Sequence, residues 1–296
     1  MVIVYRVRHV TTYGYAEPVL LAHHLAHLTP RNSAHQTCLR SLLRIEPVPA
    51  EMDERVLDYY GNPVTFFALR DPHARLLVQA TSKVEVRERP IPEAQATASW
   101  EDAIQQVQSL RGAEMLAVAD CQFDSPYVGI AEGIQDYALA SFPARRPLLE
   151  CLLDLMFRIH RDFTYDPKAT TLATPLAEVL AKRRGVCQDF AHFGIACVRS
   201  MGLSARYVSG YLLTKPPPGA KKLRGSDASH AWMSVYLPDV GWIDFDPTNN
   251  CIPKLDHVTL GWGRDYDDVS PLRGVVLGGG DHSLKVGVDV EPLNNS

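Results

Sequence analysis

The hydrophobic pattern changes its period twice along the chain, and this limits the folds that the chain can adopt. Short β-type apolar runs near the start predict strands over residues 2–9, 42–48, 64–69 and 75–86. Apolar residues then recur at helical spacing, which predicts helices over residues 99–118, 129–140, 147–163 and 187–201. A further helix is expected to open at Thr174 and Pro175. Strand patterns return over residues 206–213, 230–237, 242–245 and 284–290. This order predicts an α+β protein in which helices pack on an antiparallel sheet.

Two domains fit this order of elements. The spacing of the early strands favours a β-sandwich-like domain over residues 1–90, and the proline-containing segment 89–92 is typical of a linker. Residues 95–296 then form a second domain that ends in a β tail. A surface loop is expected over residues 215–225, which contain three consecutive prolines and a glycine. The glycines at 278–280 open no helix, so a dinucleotide-binding fold is not expected.

Composition excludes several classes of partner. The net charge is -4, so the chain lacks the basic surface that nucleic acids and anionic membranes attract. No apolar run approaches the roughly 18 residues of a membrane span. The first residues alternate in polarity and include Arg6 and Arg8, unlike the apolar core of an export signal, so we expect a cytoplasmic protein. The six cysteines form no CxxC pair, and we expect free thiols rather than a zinc ribbon.

One cysteine lies where a helix is predicted to begin. Cys187 follows Gly185, which lets the backbone turn sharply into the helix. Unpaired N–H groups and the positive end of the helix dipole favour an anion at that point, so the Cys187 thiol is expected to ionise more readily than a free cysteine. The same N–H groups could hold the oxyanion of a tetrahedral intermediate. Cys187 is therefore a candidate nucleophile.

A thiol nucleophile needs an imidazole and a group that orients it, and the later strands offer both. His230 lies at the start of one predicted strand, and Asp246 lies at the end of the next. A hairpin through residues 238–241 can bring the two together, although its register would pair His230 with residue 249 unless a bulge or a small shift intervenes. Asp244 competes with Asp246, because alternate strand residues share a face. Pro247 favours Asp246 by holding it extended at the strand end.

These motifs resemble those of a known family. The segments 187–211, 230–232 and 242–248 look like the transglutaminase-like superfamily of papain-type cysteine enzymes, in its bacterial branch. Residues 5–86 resemble the N-terminal β domain of that branch, and residues 263–269 also fit it. The resemblance implies a papain-like core with Cys187 as nucleophile, His230 as base and acid, and Asp246 as the orienting carboxylate. It also implies an enzyme that acts on amide or peptide bonds through a thioester, without a cofactor.

Weaker candidates surround these residues. Gln188 could assist the oxyanion site, Tyr165 could supply a group from the preceding loop, and Trp232 could flank the substrate, although packing roles are the simpler interpretation. His23, His24 and His27 form a histidine cluster without carboxylates, and we expect no metal there.

The aspartates at 265, 267 and 268 lack the alternating ligands and closing glutamate of a calcium loop, so we expect them to form a rim beside the cleft.

The sequence leaves the reaction partly open. Water as acceptor would make the protein an amidase or peptidase, and an amine would make it a transglutaminase-type acyltransferase. We favour hydrolysis, because no segment has the pattern of a dedicated amine site. A third possibility is a non-catalytic binding module on the same fold. The expected partner is a peptide, a protein or a small amide, including γ-glutamyl or cell-wall amides, and the oligomeric state is undetermined.

Overall fold

The structure is a computed structural model that describes residues 1–129, 131–214, 227–238 and 240–293. Its strands are β1 (Val2–Ala26), β2 (Gln36–Glu46), β3 (Glu51–Leu57), β4 (Pro63–Leu69), β5 (His73–Arg87), β6 (Thr164–Tyr165), β7 (Arg184–Gly185), β8 (Ala205–Leu212), β9 (Ala228–Leu237), β10 (Gly241–Phe245), β11 (His257–Gly263), β12 (Leu272–Gly278) and β13 (His282–Leu293). Its α-helices are α1 (Trp100–Ser109), α2 (Gly112–Ala119), α3 (Ile134–Leu139), α4 (Leu148–Asp162), α5 (Leu176–Lys182) and α6 (Cys187–Ser200). The predicted α+β class is confirmed. The loop predicted over 215–225 lies outside the described residues.

A single antiparallel sheet is built around β1, which is far longer than the eight residues that its alternation predicts. Seven strands of the described chain belong to it, in the order β2-β5-β1-β4-β3, with β12 and β13 also paired to β1. The first half of β1 pairs with β5 and β13, and its second half pairs with β4 and β12. Alternate residues of β1 are buried, beginning with Tyr5 and Val7, because successive side chains point to opposite faces.

The C-terminal strands complete this first sheet. The sequence pattern assigns residues 95–296 to the second domain, whereas the structure pairs β12 and β13 with β1. Val288 and Val290 of β13 are buried in one apolar cluster with Tyr5 and Val7. The pairing also covers backbone groups along β1 that would otherwise be an open sheet edge.

The second sheet is antiparallel, with the order β10-β9-β8-β11, and α6 packs on one of its faces. A methyl group added to Gly194 of α6 would meet the Met233 sulfur at 2.6 Å, so helix and sheet are in close contact there. Alternation along β9 then directs His230 and Trp232 to the other face. That face packs towards the first sheet, since Trp232 lines one cavity with Val86 and Arg87 of β5.

Glycines shorten the predicted helices. Residues 99–118 form α1 and α2 instead of one helix, because the chain turns at Gly112, where φ is +73°. The helix predicted over 129–140 begins only after Gly133, where φ is +81°. Pro175 rather than Thr174 occupies the N-cap position of α5.

None of the helices in the described ranges combines the length and the apolar character that crossing a membrane requires.

Candidate active site

The start of α6 is held by an acidic side chain of the same turn. The Asp189 carboxylate accepts hydrogen bonds from the backbone N–H of Val186 at 2.8 Å and from the Thr170 hydroxyl at 2.6 Å. A Cβ on Gly185 would lie 2.6 Å from Asp189 Oδ2, so glycine is needed for the close approach of this carboxylate rather than for a positive φ. The arrangement fixes Cys187 as the first residue of α6, half-buried, where the helix N–H groups lack intrahelical partners.

His230 lies between a carboxylate and the cysteine. Its Nε2 is 2.7 Å from Asp246 Oδ2. Cys187 lies close enough to the same imidazole to raise its pKa. Since Asp246 occupies Nε2, Nδ1 is the nitrogen left for the thiol. His230 is 7% exposed and Asp246 is fully buried. Of the two aspartates that the sequence offers, Asp246 is the one that His230 contacts.

The register of the hairpin explains this contact without a bulge. Phe245 of β10 pairs with Met233 of β9, and the same register places Asp246 opposite Trp232. His230 is therefore a diagonal neighbour of Asp246, a separation that long side chains can bridge.

Burial and hydrogen bonding act in opposite directions on these two groups. Burial alone would lower the pKa of His230, but the hydrogen bonds and charges of Asp246 and Cys187 outweigh it and raise this pKa to about 10. Burial would raise the pKa of Asp246, but hydrogen bonds from His230, His257 and Asn249 hold it well below its ordinary value. The arrangement favours an imidazolium paired with a carboxylate.

Two further residues bind the same carboxylate, and the sequence pattern does not reveal them. His257 Nε2 lies 3.0 Å from Asp246 Oδ2, and Asn249 Nδ2 lies 2.7 Å from the same oxygen. The backbone N–H of Asn249 donates to the other carboxylate oxygen at 3.2 Å. His257 begins β11, a strand that the hydrophobic pattern does not predict. The apolar residues that follow His257 are the only signal that could have indicated it.

Trp232 supports this network from inside the protein. It is fully buried, its Nε1 donates to Asp244 Oδ2 at 3.1 Å, and its ring covers Gly210, where an added Cβ would lie 2.5 Å from it. Its ring centroid is 5.2 Å from that of His257 and 6.0 Å from that of His230. Trp232 therefore has no exposed surface for a substrate, and it packs against the histidines. Asp244 is the partner of the indole.

The other two weaker candidates lie near Cys187. Tyr165 is 53% exposed, and the parallel pairing of β6 with β7 places it beside Gly185. Burial and, second, the charge of Cys187 raise the pKa of Tyr165, as expected for a neighbour of the sulfur. Gln188 is half-buried in the first turn of α6 and makes no side-chain hydrogen bond with the described residues.

One group in the described chain has the composition of a metal site. The ligand atoms of His230, Asp246 and His257 lie within 4.8 Å of one another. Both Nε2 atoms are at hydrogen-bond distance from one carboxylate oxygen, so a bound metal would have to displace these hydrogen bonds.

The three histidines of the cluster, two in β1 and His27 directly after it, do not converge on a common point. His27 contacts the Ser270 carbonyl and Asp58, while His23 and His24 stack on Phe66 and Phe67. Positions 23 and 27 are separated along a strand by roughly 13 Å, too far to share an ion.

The predicted rim aspartates are held by protein donors. Asp265 accepts from the backbone N–H groups of Tyr127 and Asp267, and Asp268 accepts from the backbone and side chain of Arg264. The carboxylates of Asp265 and Asp268 therefore serve local structure in the segment that follows β11.

The arrangement of a cysteine at a helix start beside a histidine–aspartate pair on an antiparallel sheet defines a papain-like class of fold. Residues 5–85 match the bacterial transglutaminase-like N-terminal region, and residues 144–247 match the transglutaminase-like superfamily. An uncharacterised protein of Mycobacterium tuberculosis is 41% identical over 98% of this chain and 93% of its own length. The chain belongs to the transglutaminase-like superfamily.

Two more distant comparisons bear on fold and chemistry. A solved structure described as "a Putative Cysteine Protease from Cytophaga hutchinsonii" shares the fold, with a TM-score of 0.78 and 21% identity over 100% of this chain and 92% of that chain. The protein-glutamine gamma-glutamyltransferase of Pseudomonas aeruginosa is 30% identical over 126 residues, which are 38% of this chain and 19% of that protein.

Proposed function

We propose that this protein is a cysteine hydrolase that cleaves carboxamide or peptide bonds through a thioester on Cys187. The observation that carries the proposal is the buried contact of 2.7 Å between His230 Nε2 and Asp246 Oδ2, with Cys187 at the start of α6 close enough to raise the pKa of the same imidazole. Such a pair holds a proton next to the sulfur and supplies it when a leaving group departs.

The proposed reaction has two steps, the formation of a thioester and its hydrolysis, and His230 transfers a proton in both. In the reactive pair the proton of the Cys187 thiol is already on Nδ1 of His230, and the thiolate attacks the carbonyl carbon to form a tetrahedral oxyanion. The C–N bond then breaks, the proton on Nδ1 passes to the departing amine or ammonia, and a thioester remains. Water next gives a proton to Nδ1 and attacks the thioester. The S–C bond breaks, and a carboxylic acid leaves.

The start of α6 can support the oxyanion. The backbone N–H groups of Cys187 and Gln188 belong to the first helical turn, which has no intrahelical acceptors. Donors fixed there interact most strongly when the carbonyl oxygen becomes negative, which stabilises the transition state more than the substrate.

Exposure favours water as the acceptor. Cys187 is half-buried and the neighbouring Tyr165 is 53% exposed, so solvent can reach a thioester at this sulfur. Acyl transfer to an amine is the second candidate, and its support is the partial similarity to a protein-glutamine gamma-glutamyltransferase. Both reactions begin with the same attack on a carboxamide and release ammonia or an amine.

Ammonia release from glutamine- and asparagine-containing peptides tests the proposal. Wild type and the Cys38→Ala control are expected to release ammonia, and Cys187→Ala is not, because Cys38 is a half-buried thiol of β2 without a histidine partner among the described residues. Mass spectrometry with an added primary amine separates the two acceptors, since hydrolysis leaves an acid and transfer leaves a substituted amide. Equal ammonia release by wild type and Cys187→Ala would refute the role of the sulfur. A wild type that binds peptides without releasing ammonia or an amine would instead be a binding module.

The pairing of the thiol with His230 has a separate test. At pH 6 an unpaired thiol, with an ordinary pKa of ~8.5, is almost wholly protonated and reacts slowly with iodoacetamide. Cys187 is expected to be alkylated at this pH at least about tenfold faster than Cys38, whose pKa burial raises. Similar rates for the two cysteines at pH 6 would contradict an activated pair.

A further inference from the structure

A cavity of about 330 Å³ lies between the two sheets, on the face of the second sheet opposite α6. It is lined on the side of the first sheet by residues 33–36, 86, 87 and 89, and on the side of the second by residues of β8 to β11, including Trp232 and His257. Cys187 and His230 are not among its described lining residues. Its volume is at the lower end of the range for small-molecule sites.

Positive charge dominates the described wall of this cavity. It contains the side chains of Arg87, Arg89, Arg206 and Lys254, and Asp244 is the one carboxylate among its described lining residues. The charge of Asp244 acts on Arg206, and Arg87 pairs with a glutamate of its own strand, Glu85. Arg89 and Lys254 make no ion pair or hydrogen bond within the described part of the chain. The cavity therefore holds more positive charge than the described protein groups neutralise.

The excess positive charge affects the pKa of a neighbouring group, His35. Burial first, and then the charges of Arg89 and Arg87, lower the pKa of His35 at the cavity wall, while Asp244 acts in the opposite direction. Uncompensated cations held together in a partly enclosed space are costly without a counter-charge, so they favour an anion between them.

Arg206 is held at a fixed position in this wall. Its guanidinium lies over the rings of Trp242 and Trp262, at 4.1 and 3.8 Å from their centroids. Its Nε is buried and has no hydrogen-bond partner among the described residues. A guanidinium fixed between two aromatic faces offers its remaining N–H donors in a set geometry, which suits a carboxylate or a phosphate.

His257 provides a second unpartnered polar atom at the cavity wall. The residue is 7% exposed, its Nε2 is bound to Asp246, and its Nδ1 is buried without a hydrogen-bond partner in the described chain. Buried polar nitrogens are rarely left unpaired, and a ligand or a water is the usual partner. This histidine also connects the cavity wall to the candidate catalytic carboxylate.

We propose that this cavity is a binding site for a small anion that carries at least two negative charges on carboxylate or phosphate groups. Arg89 and Lys254 bind its charged groups from the rim, Arg206 binds it from between the two tryptophans, and His257 lies at the inner end. The site is separate from the nucleophile, so anion binding does not depend on the proposed hydrolysis.

Titration calorimetry of the full chain with pyrophosphate and with citrate tests this inference. We expect saturable binding of one anion per chain for at least one probe, and the stronger probe shows whether phosphate or carboxylate is preferred. Arg89→Gln and Lys254→Gln are expected to weaken binding by about tenfold or more each, because each removes a charged hydrogen-bond donor. Both residues lack partners in the described chain, so these variants should remain folded. Cys187→Ala is expected to bind as wild type does.

Arg40→Gln is the matched control, because Arg40 is an exposed cation of β2 outside the cavity. It is expected to leave the affinity within about twofold of wild type, since exposed charges beyond a Debye length are largely screened. Saturable binding that Arg89→Gln and Lys254→Gln weaken selectively supports the site. The absence of saturable binding of both probes overturns it, as does equal weakening by Arg40→Gln.

Discussion

Replacing Asp246 with asparagine removes one negative charge from the buried network while nearly preserving the shape of the side chain. In the wild type, Oδ2 accepts from His230 Nε2 at 2.7 Å, from His257 Nε2 at 3.0 Å and from Asn249 Nδ2 at 2.7 Å. An amide oxygen at the same position could still accept hydrogen bonds, but it could no longer offset the charge of a protonated His230. The substitution therefore tests the charge rather than the packing.

The expected cost follows from these contacts. A hydrogen bond to a charged group contributes about 1.5–3 kcal/mol, and breaking a buried ion pair costs about 3–5 kcal/mol. Because Asp246→Asn keeps the acceptor, we expect the free energy of unfolding to fall by about 3 kcal/mol, at the lower end of that range. If most of this loss falls on protonated His230, its pKa decreases by roughly two units, at about 1.4 kcal/mol per unit.

Urea unfolding at neutral pH and an NMR titration of His230 measure these two effects. Asp244→Asn is the matched control, because it makes the same change at a carboxylate that accepts from the Trp232 indole rather than from His230, and a loss of about 1 kcal/mol or less is expected. Two variants of equal stability, or a His230 midpoint that Asp246→Asn leaves unchanged, would refute the assignment of Asp246 as the partner of His230.

Three further predictions address the helix start, the second histidine and pH. Gly185→Ala should destabilise the protein by about 1–2 kcal/mol in urea unfolding, because its methyl displaces the carboxylate that caps α6; Gly129→Ala, which meets open space, should cost little. His257→Phe removes one donor to Asp246 and should raise the midpoint pH of acid unfolding; an unchanged midpoint would contradict this. The raised pKa of His230 contributes stability that is fully present below pH 6.5 and is lost as the pH rises through about 10. The difference in free energy of unfolding between wild type and Asp246→Asn should therefore shrink over that window. A stability difference that stays constant from pH 7 to 10 would contradict the pairing. The lowered pKa of Asp246 contributes stability that is present above pH 3.8 and is lost as the pH falls below that value.

Local patterns were sufficient to identify the helix that begins at Cys187. The apolar residues of α6 recur at helical spacing up to Gly202, and the glycine before Cys187 marks the turn into the helix. His230 could be placed at a strand start for the same reason, since strand alternation is a property of neighbouring residues. Pro247 and the family resemblance favoured Asp246 over Asp244, but strand alternation could not separate the two, because both lie on one face and the register of the hairpin decides which of them meets His230.

Contacts between segments that are far apart in the sequence determined the strand pairings and site contacts that the sequence pattern does not predict. His257 joins Asp246 only because β11 pairs with β8, and no local pattern announces that pairing. The same holds for the last two strands, whose pairing with β1 depends on surface buried by residues at opposite ends of the chain. The cationic cavity is formed by residues near 35, 88, 206 and 254, each of which by itself resembles an ordinary surface charge. The sequence alone determined which residue types were present and where most helices and several strands form, because these depend on neighbours along the chain. The tertiary structure determined which of them meet, because that depends on the burial and hydrogen bonding that folding as a whole must satisfy.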